Sequence, residues 1–157
     1  MIDNTNEIPD IKAELQPYNV YRFANDGAFT TALQARCDEA MREKMLNCMS
    51  SSTYTNWQNM GKAGMLADAD VTIINIYWAE VYYTVAFFYK YLDRLDKAAR
   101  IGYTETRNEP GGGSRTISGY SGKHAAAFDY MKRADTCMQR AGFNTQDKLK
   151  VRGSIHA

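Results

Sequence analysis

From Asp70 to Arg100 the chain reads as one helix whose central part, Ile73 to Tyr91, is apolar or aromatic on almost every side. A helix of that kind needs protein around its whole circumference. At 1.5 Å per residue it runs roughly 45 Å, more than a compact domain of this size usually needs. The stretch Val71 to Tyr91 also has the length of a membrane span. Glu80, Asn75, Trp78 and the tyrosines argue against hydrocarbon, because a lone mid-bilayer carboxylate is costly and tyrosine hydroxyls prefer the interface.

The rest of the chain supplies the wrapping. With 157 residues, 45% hydrophobic and 24% charged, it is an ordinary allotment for one domain with one core. A helix from Asn25 or Asp26 to about Met49 carries the stripe Phe29, Leu33, Cys37, Ala40, Met41, Met45 and Cys48 at helical spacing, with Arg36, Asp38, Glu39, Arg42, Glu43 and Lys44 opposite. Ser50 to Thr55 reads as a polar break. After it Trp57, Met60, Met65 and Leu66 suggest a short helical corner interrupted by Gly61 and Gly64, and Asp68 or Asp70 caps the long helix. Gly102 stands where a left-handed residue would end that helix. The last helix starts near Ser121 or Gly122, has the stripe Ala127, Tyr130, Met131, Ala134, Cys137, Met138 and Ala141, and stops at Gly142.

The expected fold is all-α: a three-to-four-helix bundle with one long central helix, a long Gly-rich loop or hairpin, and extended N- and C-terminal arms. The segments are an arm over 1–24, a helical body over 25–102, a loop over 103–122, the last helix over 123–142 and an arm over 143–157. The first arm is mostly extended, with a short helix from Pro9 to Leu15. Tyr18, Val20, Tyr21 and Phe23 then anchor it to a surface, this molecule's or a neighbour's. In the long helix, Ile73, Ile76, Tyr77, Val81, Thr84, Val85, Phe88 and Leu92 face the first and last helices. That leaves Trp78, Tyr82, Tyr83, Phe87 and Tyr89 with too few partners inside one chain, and aromatics with polar tips are what subunit interfaces use.

Covalent chemistry finds little footing. Gly122 and Lys123 precede a helix, but a phosphate-binding loop would need glycine at Ile117 and a hydroxyl residue at His124. GGGSR at 111–115 follows a helix instead of a strand, so it lacks the dinucleotide pattern. His124 is the one histidine in the helical body, beside Tyr120, Ser121 and Lys123, and polar residues gather at helix starts anyway. Asp93 with Asp96, and Asp38 with Glu39, have basic neighbours at helical spacing and read as surface pairs. Cys37, Cys48 and Cys137 have no CxxC spacing and read as small buried hydrophobes. No metal, cofactor or catalytic set is expected.

The formal charge of +1 gives no net field toward nucleic acid or an anionic membrane. The leading MIDNTNEIPDIKAEL is acidic and polar where a secretory signal is basic and then apolar, so a reducing compartment is expected. Local cationic groups lie in the loop, Arg107 and Arg115, and in the last arm, Lys148, Lys150 and Arg152. That arm alternates Leu149, Val151 and Ile155 with polar residues, a pattern that can add a strand to a partner's exposed edge.

In order and texture these segments resemble the head–tail connector, or adaptor, proteins of tailed bacteriophages. A helical body containing YWAEVYYTVAFFYKYL precedes a Gly/Ser-rich excursion, EPGGGSRTISGYSG, then a final helix, FDYMKRADTCMQRAGF, and a terminal arm. The resemblance covers about residues 25–143. It implies a structural virion subunit, made in the host cytoplasm, that forms a dodecameric ring between portal and tail or neck proteins. The aromatics of the long helix would then sit between subunits. Arg107, Arg115 and Tyr120 would line the channel and touch passing DNA without reading its sequence. Lys148, Leu149, Lys150, Val151 and Arg152 would form a docking arm, with no membrane involved. A small helical enzyme or ligand-binding module and a membrane-associated helical protein are the alternatives.

Overall fold

The computed structural model describes residues 4–15, 26–65, 70–98, 104–108, 114–118 and 123–145. They form an all-α bundle carrying one two-stranded hairpin. In chain order the elements are α1 (Asn4–Leu15), α2 (Asp26–Ala40), a π turn (Met41–Met45), α3 (Leu46–Cys48), α4 (Ser51–Lys62), α5 (Val71–Ala98), β1 (Thr104–Asn108), β2 (Ser114–Ser118) and α6 (Lys123–Arg140). The long helix α5 is the axis, and α6, α2 and α1 pack along it.

Asp70 starts α5 by accepting the amides of Thr72 and Ile73 at 2.6 and 3.3 Å, which holds its carboxyl below the usual carboxylate range. Two apolar clusters then lie along α5, on separate stripes that overlap between Val81 and Phe87. The first joins Ile76, Ala79, Tyr83 and Phe87 to Ala40, Met45, Tyr54, Ala134 and Met138. The second joins Val81, Val85, Phe88, Tyr89 and Leu92 to Ile11, Leu15, Phe29, Leu33, Cys37 and Ala127. Early α5 therefore meets late α6, and the two helices are antiparallel. By length and composition α5 could cross a membrane, but its middle residues from Ala79 to Phe88, Tyr82 apart, are buried inside the bundle. That is the other destination of a helix apolar all round.

Three local outcomes differ from the sequence-based expectation. First, α1 begins at Asn4, so Pro9 lies inside it and removes one rung of its hydrogen-bond ladder. Ile11 and Leu15 bury against α5 and hold the longer helix in place. Second, the polar break at Ser50 to Thr55 is a helix start. The Ser50 hydroxyl accepts the Thr53 amide at 3.2 Å, so the Ser/Thr run supplies the cap and first turn of α4. Gly61 falls inside that helix and Gly64, at φ +69°, lies beyond its end. Third, Asp93 is buried, not a surface group. Asp38 accepts from the neutral Gln34 amide at the surface, and Glu39 pairs with Arg36 at 2.8 Å with both side chains half-buried.

The π turn adjusts the register of the second helical rod. Leu33, Cys37 and Ala40 follow α-helical spacing, and the next core position four residues on would be Lys44. The Leu46 amide instead bonds five residues back to the Met41 carbonyl, which puts Met45 into the core. At the end of α6, Gly142 at φ +87° closes a Schellman turn. The Phe143 amide reaches the Met138 carbonyl and the Gly142 amide that of Gln139. Phe143 then sets its ring edge-on to Trp57, at 5.9 Å, so Trp57 does pack the corner.

Candidate functional site

The polar chemistry of the described residues is concentrated between helices, where tyrosines of α5 and its neighbours donate to acidic groups. Tyr77 reaches Asp10 of α1 at 2.5 Å and Tyr83 reaches Asp135 of α6 at 2.6 Å. Tyr130 of α6 donates to the Glu14 carboxylate at 2.5 Å, while Tyr89 donates to the Glu14 backbone carbonyl at 3.2 Å. Tyr54 of α4 donates to Glu80 in the middle of α5, and that carboxylate has no exposed surface. Hydrogen bonds to an ionised acceptor are the stronger kind. These pairs fasten α1, α4 and α6 to α5 at defined heights.

The rings themselves form a continuous file. Tyr77 meets Trp78 edge-on at 5.5 Å, Trp78 meets Tyr82 at 5.6 Å, Tyr82 meets Tyr130 at 5.9 Å, and Tyr130 stacks on Tyr89 at 5.6 Å. The sequence-based assignment of the aromatic face to a subunit interface is therefore corrected for three residues. Tyr83, Phe87 and Tyr89 are buried within the single chain: Tyr83 donates to Asp135 of α6, Tyr89 donates to the Glu14 carbonyl of α1 and stacks on Tyr130, and Phe87 belongs to the apolar cluster that includes Ala134 and Met138 of α6. Trp78 and Tyr82 are half-buried and leave part of their surface to solvent.

Glu7, Asp10, Glu14 and Asp135 are the residues that sequence reasoning missed. Glu7, Asp10 and Glu14 recur at i, i+3 and i+7, which marks one helical face. An acidic stripe at that spacing ordinarily means a solvated surface, and nothing in the local sequence says that tyrosines will cover it.

Glu80, Tyr54 and Cys37 come from three helices, and Glu7 of α1 influences both the phenol and the thiol electrostatically. Burial pushes the Cys37 thiol up to about 12, the Thr84 hydroxyl pulling the other way and Glu80 adding to the rise. Burial first, then the Glu80 carboxylate, pushes the Tyr54 phenol above its ordinary range. A thiol held protonated is a poor nucleophile and a poor ligand. Cys48 and Cys137 are half-buried, and burial raises Cys137 as well. Among the described residues, no group of three or more His, Cys, Asp or Glu side chains gathers as metal ligands. His124 is exposed at the start of α6, next to a buried Lys123.

The Gly-rich excursion resolves into the hairpin alternative of the sequence reading. Strands β1 and β2 pair antiparallel, with Arg107 directly opposite Arg115 and Thr106 opposite Thr116. They pair with each other and, among the described residues, make no broad contact with any helix. Tyr120, Gly102, the anchors from Tyr18 to Phe23, and the arm residues Lys148, Leu149, Lys150, Val151 and Arg152 lie outside the described residues.

Comparison with protein-family models, curated proteins and solved structures finds no match to this chain.

Proposed function

We propose that this chain is a structural subunit that works by assembling with copies of itself, as a head–tail connector of a tailed-bacteriophage virion. In this reading it is made in the host cytoplasm, forms a ring between portal and tail or neck proteins, and is not an enzyme. The observation that carries the reading is the hairpin. A lone two-stranded hairpin is marginal in water, and this one has no broad support from the described helices. In this reading the ribbon takes its support from a neighbouring subunit. Within a ring it would project toward the channel or a neighbour, and the facing register positions Arg107 and Arg115 would offer DNA phosphates paired cationic groups.

The interior supports a structural role in a second way. The carboxylates of Asp10, Glu14, Glu80 and Asp135 hold helices together through tyrosine hydroxyls. The test is solution mass by light scattering across a concentration series, with negative-stain images of the eluted species. Closed rings are expected. A chain that stays a monomer at every concentration refutes self-assembly, and a chain that needs detergent to stay in solution supports the membrane-associated alternative instead.

A further inference from the structure

The file of rings along α5 and α6 is made of oxidisable side chains throughout. Trp78, Tyr82, Tyr130 and Tyr89 succeed one another at centroid distances of 5.6, 5.9 and 5.6 Å, and Tyr77 meets Trp78 at 5.5 Å. Every step lies within the range of ring pairs in contact. Indole and phenol are the side-chain rings that give up one electron most readily, and a phenylalanine in the series would interrupt it. Trp78 and Tyr82 are half-buried and Tyr89 is buried, so the file leads from the surface into the bundle. The second tryptophan of the chain is placed differently: Trp57 meets the ring of Phe143, which is not readily oxidised, at 5.9 Å.

A phenol that loses an electron becomes strongly acidic, so a tyrosine holds an oxidising equivalent best where a base waits for its proton. Tyr77 donates to the Asp10 carboxylate and Tyr130 to the Glu14 carboxylate, each at 2.5 Å. Burial first, and then the bond to Glu14, keeps the Tyr130 phenol protonated at rest, so it has a proton to give. Tyr89 donates to a backbone carbonyl, a far weaker proton acceptor than a carboxylate.

We propose that the file is a one-electron relay with Trp78 as its entry and Tyr77 and Tyr130 as its hosts. A small oxidising radical from solution is reduced by taking one electron from Trp78, which becomes an indole radical cation. One electron then passes from the Tyr130 phenol, by way of Tyr82, to that radical cation and restores the indole. The phenol O–H bond breaks with it, and the proton goes to the Glu14 carboxylate, leaving a neutral tyrosyl radical beside a carboxylic acid. Tyr77 and Asp10 carry out the same exchange with Trp78 in a single step. The inference is independent of the assembly reading, since the rings all belong to one chain.

Laser photoionisation of indole, at wavelengths that tyrosine does not absorb, tests this in the full-length chain, with circular dichroism checking the fold of each variant. In the wild type and in Trp57→Phe, whose single indole is Trp78, the indole radical band is expected to decay as a tyrosyl band grows, at a rate independent of protein concentration. Trp78→Phe should lose that growth. Tyr77→Phe with Tyr130→Phe, added to Trp57→Phe, keeps the rings but removes both phenolic protons, and should slow the conversion at least about tenfold. Wild type against Trp78→Phe decides the matter even where Trp57→Phe does not fold. The inference falls if Trp78→Phe forms tyrosyl radical as fast as the wild type, if folded Trp57→Phe forms none, or if the rate rises in proportion to protein concentration. Conversion at an unchanged rate without the two phenols refutes Tyr77 and Tyr130 as hosts.

Discussion

Tyr83 of α5 donates its hydroxyl to Asp135 of α6 across 2.6 Å, from a ring with no exposed surface. The hydroxyl leaves an apolar cluster at the point where the acid waits, so one residue supplies both core volume and a polar fastening. Removing the hydroxyl alone, in Tyr83→Phe, should cost about 1.5–3 kcal/mol, the worth of a hydrogen bond to a charged group. Tyr83→Ala should cost more, about 3–5 kcal/mol, by opening a cavity. Urea denaturation checks both, and Trp78→Ala, at a half-buried position, should cost less than Tyr83→Ala.

Tyr54 and Glu80 form the most deeply placed of these pairs. Tyr54→Phe withdraws a donor from a buried carboxylate and should destabilise by about 1.5–3 kcal/mol. Replacing both partners, as Tyr54→Phe with Glu80→Leu, should recover part of that loss, because apolar packing of similar volume can substitute for a buried polar pair. A double-mutant cycle from chemical denaturation measures the coupling. Strictly additive losses would mean that the two side chains do not depend on each other.

The raised phenols and thiol predict a fold that fails at alkaline pH. Cys37 moves from an ordinary 9.0 up to about 12, and Tyr54, Tyr83 and Tyr130 rise above their ordinary 10.0, burial being the first cause in each case. Groups that hold their protons more tightly when folded stabilise the fold fully below their unfolded values. That contribution is lost as pH rises past them. Melting temperature should therefore begin to fall above about pH 9 and fall more steeply above about pH 10. Tyrosinate absorbance from these residues should appear together with loss of helix, not before it.

The π turn predicts an asymmetric response to deletion. Ala40 and Met45 are both buried and five residues apart. Deleting Arg42, which is exposed inside the turn, would leave these core positions at the four-residue spacing of an ordinary α-helix, and the protein should keep a cooperative thermal transition. Deleting the equally exposed Ala35 from α2 would rotate the helix before it by about 100°, taking Phe29 and Leu33 out of the core, and should abolish that transition. Circular dichroism melts of the two deletions decide the matter.

Much of the bundle is legible in the residues because it is set by local chemistry. The apolar run from Ile73 to Tyr91 forces a wrapped helix, and the stripes Phe29–Leu33–Cys37 and Ala127–Ala134–Met138 mark the faces that wrap it. Asp70 and Gly142 end their helices through their own backbone and side-chain geometry. The hairpin was one of two readings of a Gly-rich stretch, and strand pairing selects it.

What periodicity does not carry is the identity of the partner. Tyr83, Phe87 and Tyr89 look surplus when their neighbours along the helix are counted, yet they are buried once α1 and α6 are in place. The acids of α1 look solvated for the same reason. Ser50 to Thr55 fits both a break and a capped first turn, and the core position open to Tyr54 beside Glu80 settles it. Local sequence dictates where helices begin, end and turn apolar, since those depend on neighbours within a turn or two. Which face of one helix meets which tyrosine of another depends on packing across residues as far apart as Glu14 and Tyr130, and that is decided when the whole bundle closes.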